Sequence, residues 1–420
     1  MAVTQTNSLW LQSEKVRPKL EGWLPKFKSL IFTKIDNKQV EKVSERDYRI
    51  PYKTTAGGKV RTYDPNMGAV GRGSSATGGV LISTFFPLSL AFELSELETL
   101  ATESKEQAVA SKFKMAMADA MPEFALYLDK FWHRGNGTAD LAVATAHTTS
   151  GGNSVYTLDS SFGVAALRRG MQVRVQASNR TTYRTINTTL TETYIVAVDY
   201  DNNKVTLNGT VDSAAATDVL ILAGTSGNNP VGMKGLPYYN SYATSGSTLG
   251  LDRSTEYEVI TPNVNAAGGL TNGHGVQLLG KMLKRRGTGQ FPNNIFGCMS
   301  FEVYKQLYDQ VQLIQRIDLG GDGAKMVDTA GKQKMEFSWC GVPHYIDVNQ
   351  DTTRVDWVAP AVWGWSSMKP MSFYEVGNTR FFPIYATDGS PAAGLWFALT
   401  VHRDSWCADP AQGGVIYGIS

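Results

Sequence analysis

The sequence predicts an α+β fold made of a basic leading arm, a long polar ribbon, one very long helix and an inserted antiparallel β module. Three observations carry this. Residues 49–83 (RIPYKTTAGGKVRTYDPNMGAVGRGSSATGGVLIS) are rich in Gly, Thr and Arg and hold almost no apolar side chain until their end. Residues 103–132 place apolar side chains at 109, 113, 116, 120, 124, 128 and 131, the steps of three and four that mark one helical face. Residues 150–225 read as short alternating or β-branched strands separated by turn residues.

In chain order, residues 1–45 form the arm, with one short helical piece at Trp23–Ile31. The ribbon occupies residues 46–90. Its Ala56-Gly57-Gly58 predicts a hairpin reversal between RIPYKT and KVRTY, continued as extended loop through Asp64-Pro65-Asn66 and Gly71–Gly79. Such a ribbon is marginal by itself in water and needs a surface to lie on. Residues 91–149 carry the long helix. Thirty residues at about 1.5 Å each span about 45 Å, and Pro122 is expected to kink or split the helix. A coiled coil is the rival reading; the extended flanks favour a helix lying across a sheet.

The β module at 150–225, with turns at Asp201-Asn202-Asn203 and Asn208-Gly209, predicts a small barrel or sandwich inserted into the main fold. Residues 226–259 return as an aromatic loop. From 260 to 375, α and β alternate: a helix from His274 to Arg286, a strand in NIFGCMS, a helix from Phe301 to Gln312, and strands in EFSWCGVPHYIDV and VDWVAP. The chain ends in further β, through FYEV and then, over residues 376–420, FFPIYAT, LWFALTVHRDSW and GVIYGIS.

The chain's 420 residues suffice for one large core or two to three smaller ones, and 42% apolar residues exclude a wholly disordered protein. No leader pattern opens the sequence and no apolar run approaches the roughly 20 residues that span a bilayer, so the expectation is a cytosolic protein without a membrane partner. Cys298, Cys340 and Cys407 show no CxxC spacing and read as buried free thiols. Without a leader, the Asn-x-Ser/Thr patterns at Asn136, Asn179, Asn187 and Asn208 mark only threonine-rich strands. Net charge is +2, yet residues 1–75 hold fourteen Lys/Arg against seven Asp/Glu. A basic leading segment thus precedes an acidic remainder, which suits docking on another copy or on nucleic acid; a solvated arm is the plain alternative.

Motifs for chemistry are absent. GRGSSATGG has the glycines of a phosphate loop without its Lys-Ser/Thr. The DYDNN run from Asp199 opens like a calcium loop, but Lys204 and Thr210 stand where Gly and Glu belong, so it reads as a hairpin turn. The five histidines are scattered, with no HExxH, and no GxSxG elbow is present. Glu256 and Glu258, among aromatics in STEYEV, are the only carboxylates singled out for glycosidase chemistry. No catalytic, cofactor-binding or metal residue is assigned, and no cofactor is expected.

The order of elements, together with GLPYYNSYATSGSTLGLDRS, NIFGCMSFEVYKQL and FSWCGVPHYIDVNQ, resembles the major capsid proteins of tailed bacteriophages, the Hong Kong 97-type shell fold, over roughly residues 45–420. The resemblance implies a non-enzymatic virion protein, assembled in the host cytoplasm, whose pentamers and hexamers form an icosahedral shell around double-stranded DNA. It makes Arg49–Ser83 the extended loop (E-loop), Glu103–Trp132 the spine helix of the peripheral domain, and residues 260–375 the axial domain. Arg49, Lys53, Lys59, Arg61 and Arg72 become the inter-subunit contacts of the ribbon. It implies identical subunits, a portal, packaged DNA bound without sequence specificity and, in some members, a cement protein as partners. Since the ribbon begins near residue 49, a separate scaffolding protein is expected. Some members cross-link a loop lysine to an asparagine; Lys53 and Lys59 lie in that element, with no asparagine or acid identified. The β module is either an outward prop between neighbours or a folding nucleus. The alternatives are an encapsulin-like compartment, whose chain would be shorter and lack the insert, and a β-rich carbohydrate-binding protein or glycosidase, which needs a cleft with converging carboxylates.

Overall fold

A computed structural model describes residues 34–35, 40–42, 47–55, 58, 75–95, 112–159, 163–165, 167–224, 231–248, 250–254, 260–286, 294–315, 336–377, 379–385 and 391–420. In chain order the main elements are β1 (Asp47–Thr55), β2 (Thr77–Thr84), β3 (Phe86–Ser95), α1 (Lys112–Arg134) and β4 (Asn136–Thr138). There follow β5 (Asp140–Ser150), β6 (Asn153–Leu158), β7 (Gln172–Gln176), β8 (Thr193–Asp199), β9 (Lys204–Leu207) and β10 (Val219–Leu222). Next come β11 (Val231–Lys234), α2 (Leu236–Tyr239), β12 (Asn263–Gly268), α3 (Asn272–Arg286), β13 (Phe296–Met299) and α4 (Phe301–Gln315). The chain closes with β14 (Glu336–Trp339), β15 (Val342–Ile346), β16 (Arg354–Val358), β17 (Trp363–Phe373), β18 (Phe382–Tyr385), β19 (Pro391–Cys407) and β20 (Gly414–Ile419). No helix among the described residues is long and apolar enough to cross a membrane.

Two compact units share the chain. One comprises Met1–Ser29, Phe86–Asp129 and Ser367–Arg403; the other comprises Leu30–Phe85, Lys130–Ser366 and Asp404–Ser420. In the first, β17, β19 and β18 lie in that order and β3 pairs along β19 from Phe86↔Arg403 to Ser95↔Gly394. Alternation in β3 buries Phe86, Leu88 and Leu94 and leaves Pro87, Ser89 and Glu93 exposed, the period-two signature of a sheet with one packed face. The α1 residues in this unit bury Phe124, Leu126 and Leu128. Phe124 and Leu128 lie on the face that the sequence spacing marks; the helical start from 103 to 111 lies outside the described residues. Pro122 does not split α1, which is a single 23-residue helix. One missing backbone donor is tolerated where the turns beyond it are anchored by buried aromatic and aliphatic side chains.

Besides two short strand pairs, β4 with β11 and Ser247–Thr248 with Leu251–Asp252, the described residues of the second unit hold three β assemblies. The first is the ribbon, where β1 pairs antiparallel with β2. The second is a closed barrel with strand order β9-β6-β5-β10-β7-β8. Closure leaves no free edge, and the wall turns Tyr156, Leu158, Val173, Val175, Val205 and Leu207 inward. Asp218, 1% exposed, accepts hydrogen bonds from Arg184 Nη2 (2.8 Å) and Tyr156 Oη (3.2 Å). The barrel departs from the sequence reading twice. It begins at Asp140, ahead of the expected start at 150, because β5 supplies the strand between β6 and β10. The stretch TYRTINTTL is turns and isolated bridges instead of strand, with Asn187 and Thr188 at positive φ. The Asp199 turn matches the hairpin reading: its carboxylate accepts from the backbone of Asp201 and Asn202 and from Asn202 Nδ2.

The third assembly is a mixed six-stranded sheet, β12-β20-β16-β13-β15-β14. Its core gathers Leu278 and Met282 of α3, Val303 and Leu307 of α4, and Val264, Val355, Trp357 and Ile416 of the sheet. The β14–β15 hairpin turns at Cys340 and Gly341, both at positive φ (53° and 78°), as a two-residue reversal requires. Cys298 and Cys407 are buried free thiols as expected, but Cys340 is half-exposed because it occupies this turn.

Candidate assembly surface

The ribbon is the first candidate surface. Its register runs from Asp47↔Thr84 through Ile50↔Leu81 to Thr55↔Thr77, with an irregularity between Lys53 and Thr55. RIPYKT therefore pairs with the later TGGVLIST segment; KVRTY, the partner expected for it, and Ala56-Gly57 of the expected turn lie outside the described residues. Glycine content selects this register: a Cβ on Gly78 would sit 2.2 Å from the Tyr52 carbonyl oxygen. Only glycine admits so close an approach. Among the described residues no third strand joins the pair; an unpaired strand edge is the kind of backbone that recruits another chain. Arg49 and Lys53 are exposed on β1. Lys59, Arg61 and Arg72 lie outside the described residues, as do Glu256 and Glu258.

A buried polar chain holds the end of α1 against the sheet of the second unit. Trp132, fully buried, meets Trp363 edge-on at 5.4 Å, and Trp363 meets Tyr239 at 5.2 Å. His133 Nδ1 donates to Gln350 Oε1 (2.6 Å), and Gln350 Nε2 donates to Asp356 Oδ2 (2.8 Å). Arg354 clasps the same carboxylate through Nε (2.8 Å) and Nη2, and Nη2 also donates to the Asn240 carbonyl (2.9 Å). Burial pushes the Arg354 guanidinium down, but the Asp356 charge and hydrogen bonds reverse this and hold it above its ordinary value. Arg134 donates to the carbonyls of Asn349 and Gln350, and burial lowers it to about 10 despite the pull of Asp351, Asp159, Asp347 and Glu302.

His133 Nε2 also lies 3.6 Å from Asp347 Oδ2, the described contact here that most resembles chemistry. Burial would raise the Asp347 carboxyl; His133, the Asn349 amide and Arg134 together hold it below its ordinary range. With Nδ1 committed to Gln350, the imidazole is a structural tie. None of these residues was singled out in the sequence. The one available signal is that Arg354 and Asp356, two apart on a strand, share a face.

Lys130, beside this chain on α1, is 1% exposed, and its Nζ has no hydrogen-bond partner among the described residues. Burial, then the neighbouring Arg134 charge, push its pKa well below 10.5. The folded chain therefore holds the protonated amine less readily than the unfolded one, a penalty that shrinks as pH rises toward 10.5. Lys130→Met is expected to raise stability by at least about 1 kcal/mol, read as a higher midpoint in chemical denaturation at pH 7.

The first unit offers apolar surface. Val376 (54% exposed), Tyr385 (63%) and Leu395 (46%) face solvent. Phe382 stacks on Trp396 at 4.7 Å and meets Tyr374 at 5.8 Å. Aromatic and aliphatic side chains on an exposed sheet are the composition of an interface core.

No protein-family model matches the sequence, and no curated protein matches it. Solved structures do match. The capsid asymmetric unit of cyanophage A-1(L) superposes with a TM-score of 0.55 at 12% identity, covering 96% of each chain. The chain has a phage-capsid fold. The capsid of the native GTA particle also matches, with a TM-score of 0.51 at 9% identity over 100% of this chain and 99% of that one. At such identities the likeness is one of fold, over nearly the whole length of each chain.

Proposed function

We propose that the protein is the major capsid protein of a tailed phage, a structural subunit that builds pentamers and hexamers of an icosahedral shell around double-stranded DNA. The full-length capsid fold carries this reading, and the ribbon, which no third strand among the described residues joins, supports it. In this reading β1 and β2 belong to the E-loop, α1 is the spine helix, and the six-stranded sheet with α3 and α4 forms the axial domain. The ribbon buries little because its resting place is an identical neighbour, where Arg49, Lys53, Lys59, Arg61 and Arg72 meet acidic surface. Each exposed pair contributes only about 0–1 kcal/mol. Repeated around every capsomer such contacts sum, so assembly stays reversible until closure. A separate scaffolding protein, a portal and the packaged DNA join the partner set of this reading, with a cement protein as in some members, and the protein resides in the virion after assembly in the host cytoplasm.

Sedimentation and negative-stain microscopy of the expressed chain test this: large closed particles are expected, and a lone compact monomer whose residues 49–83 fold back on their own body refutes the assignment. Charge reversal of the ribbon, Lys53→Glu with Lys59→Glu and Arg61→Glu, is expected to abolish particles. Shells of unchanged yield and thermal stability would refute electrostatic docking alone.

A further inference from the structure

Helix α3 (NGHGVQLLGKMLKRR) contains four strongly basic side chains, Lys281, Lys284, Arg285 and Arg286, and no acidic one. Lys281, Lys284 and Arg285 stand at i, i+3 and i+4, so they share one helix face. There they line a pocket of about 500 Å³ with Pro262 and Asn263, at the entry to β12. All three cations are exposed, Pro262 is buried and Asn263 half-buried. Cations near a helix C-terminus complement its dipole, which accounts for their place in the helix. It does not account for their gathering around one concavity whose described lining holds no acidic residue, since like charges at this spacing repel.

The pocket's wall is pre-set. Lys281 Nζ donates to the Asn263 carbonyl (2.6 Å), and Arg285 Nη1 donates to the Ile260 carbonyl. An ammonium has three N–H donors, so Lys281 is held in position with two left for a ligand. The Lys284 side chain has no hydrogen bond or ion pair among the described residues. We infer that this pocket is a phosphate site, in which Lys281, Lys284 and Arg285 bind a phosphate-bearing polyanion. A phosphate group brings up to two negative charges and three acceptor oxygens, which three cations can share; a single carboxylate would leave most of their repulsion in place. The phosphate can come from a free polyphosphate or from a nucleic-acid backbone. The inference is read on a single chain and does not depend on shell assembly.

The test titrates the purified full-length chain with inorganic tripolyphosphate by calorimetry and with a short labelled DNA duplex by anisotropy. Wild type is compared with Lys281→Gln/Lys284→Gln. Both side chains are exposed, so an unchanged melting curve certifies the variant's fold. Binding of at least one probe, weakened at least about tenfold in the variant, is the expected result. Duplex binding whose salt slope falls by about 0.9 for each lost phosphate contact assigns the nucleic-acid source; tripolyphosphate binding without it assigns the free one. Three results overturn the inference: neither probe binds, as would follow if Glu256 and Glu258 just upstream already neutralise the pocket; the variant binds as well as wild type; or a poly-glutamate peptide binds as tightly as tripolyphosphate.

Discussion

Replacing Arg354 by Met is expected to destabilise the protein by about 3–5 kcal/mol, because it strands a carboxylate in the interior. Asp356 is fully buried and Arg354 is 5% exposed. The guanidinium is the one cation on that carboxylate in the described network; the remaining partners are the amides of Gln350 (2.8 Å) and Asn240 (3.3 Å). Neutral amides cannot replace the lost charge, and Asp356 must then take up a proton or unfold its surroundings. The check is the chemical denaturation midpoint of the unit spanning Lys130–Ser366, followed by hydrogen exchange at β16. Arg354→Met/Asp356→Leu is expected to recover most of the loss, since an apolar pair of similar volume avoids desolvation altogether. A single variant with a wild-type midpoint would show that the pair contributes nothing to stability.

Acid is expected to remove roughly 3 kcal/mol of stability between pH 6.5 and about 4, through His344. This imidazole is fully buried, with Nδ1 donating to the Val342 carbonyl (2.8 Å) and Nε2 accepting from Trp357 Nε1 (2.8 Å). That pair of bonds requires the neutral ring. A Cβ on Gly297, on the neighbouring strand β13, would lie 2.0 Å from the ring, so the site also leaves no room for rearrangement. Burial lowers the histidine to about 4, only partly opposed by the Val342 carbonyl. Between the two pKa values the unfolded chain binds a proton that the folded one refuses, so stability falls as pH falls and levels off below about 4. Asp347, held below its ordinary value, adds its own loss only further down, as it too becomes protonated. His344→Gln keeps one donor and one acceptor and removes the titration. Its unfolding free energy should be nearly flat across that window, and a slope equal to wild type would place the proton uptake elsewhere.

Local pattern was legible where local physics decides. The spacing of α1 marked Phe124, Leu128 and Phe131, all of which are buried. Helices α3 and α4 and strands β13 to β16 and β18 to β20 stand within a few residues of where periodicity placed them, whereas β12 and β17 were not anticipated and FYEV lies almost wholly past the end of β17; Asp199 forms the hairpin turn its neighbours suggested. The misses are pairings. The β1 partner proved to be Thr77–Thr84, and β5, read as part of the preceding segment, closes the barrel.

By itself, the sequence determined the main helices, most of the strands and the Asp199 turn, and that its leading segment is basic and poor in buriable surface. These follow from side-chain shape, backbone freedom and charge within a few neighbouring positions. The tertiary structure alone decided that six strands close on themselves, that His133 reaches Gln350 across 217 positions, and that α3 turns three cations into one pocket beside Pro262. Such contacts join segments far apart in the chain, and each depends on packing that no short window of residues encodes.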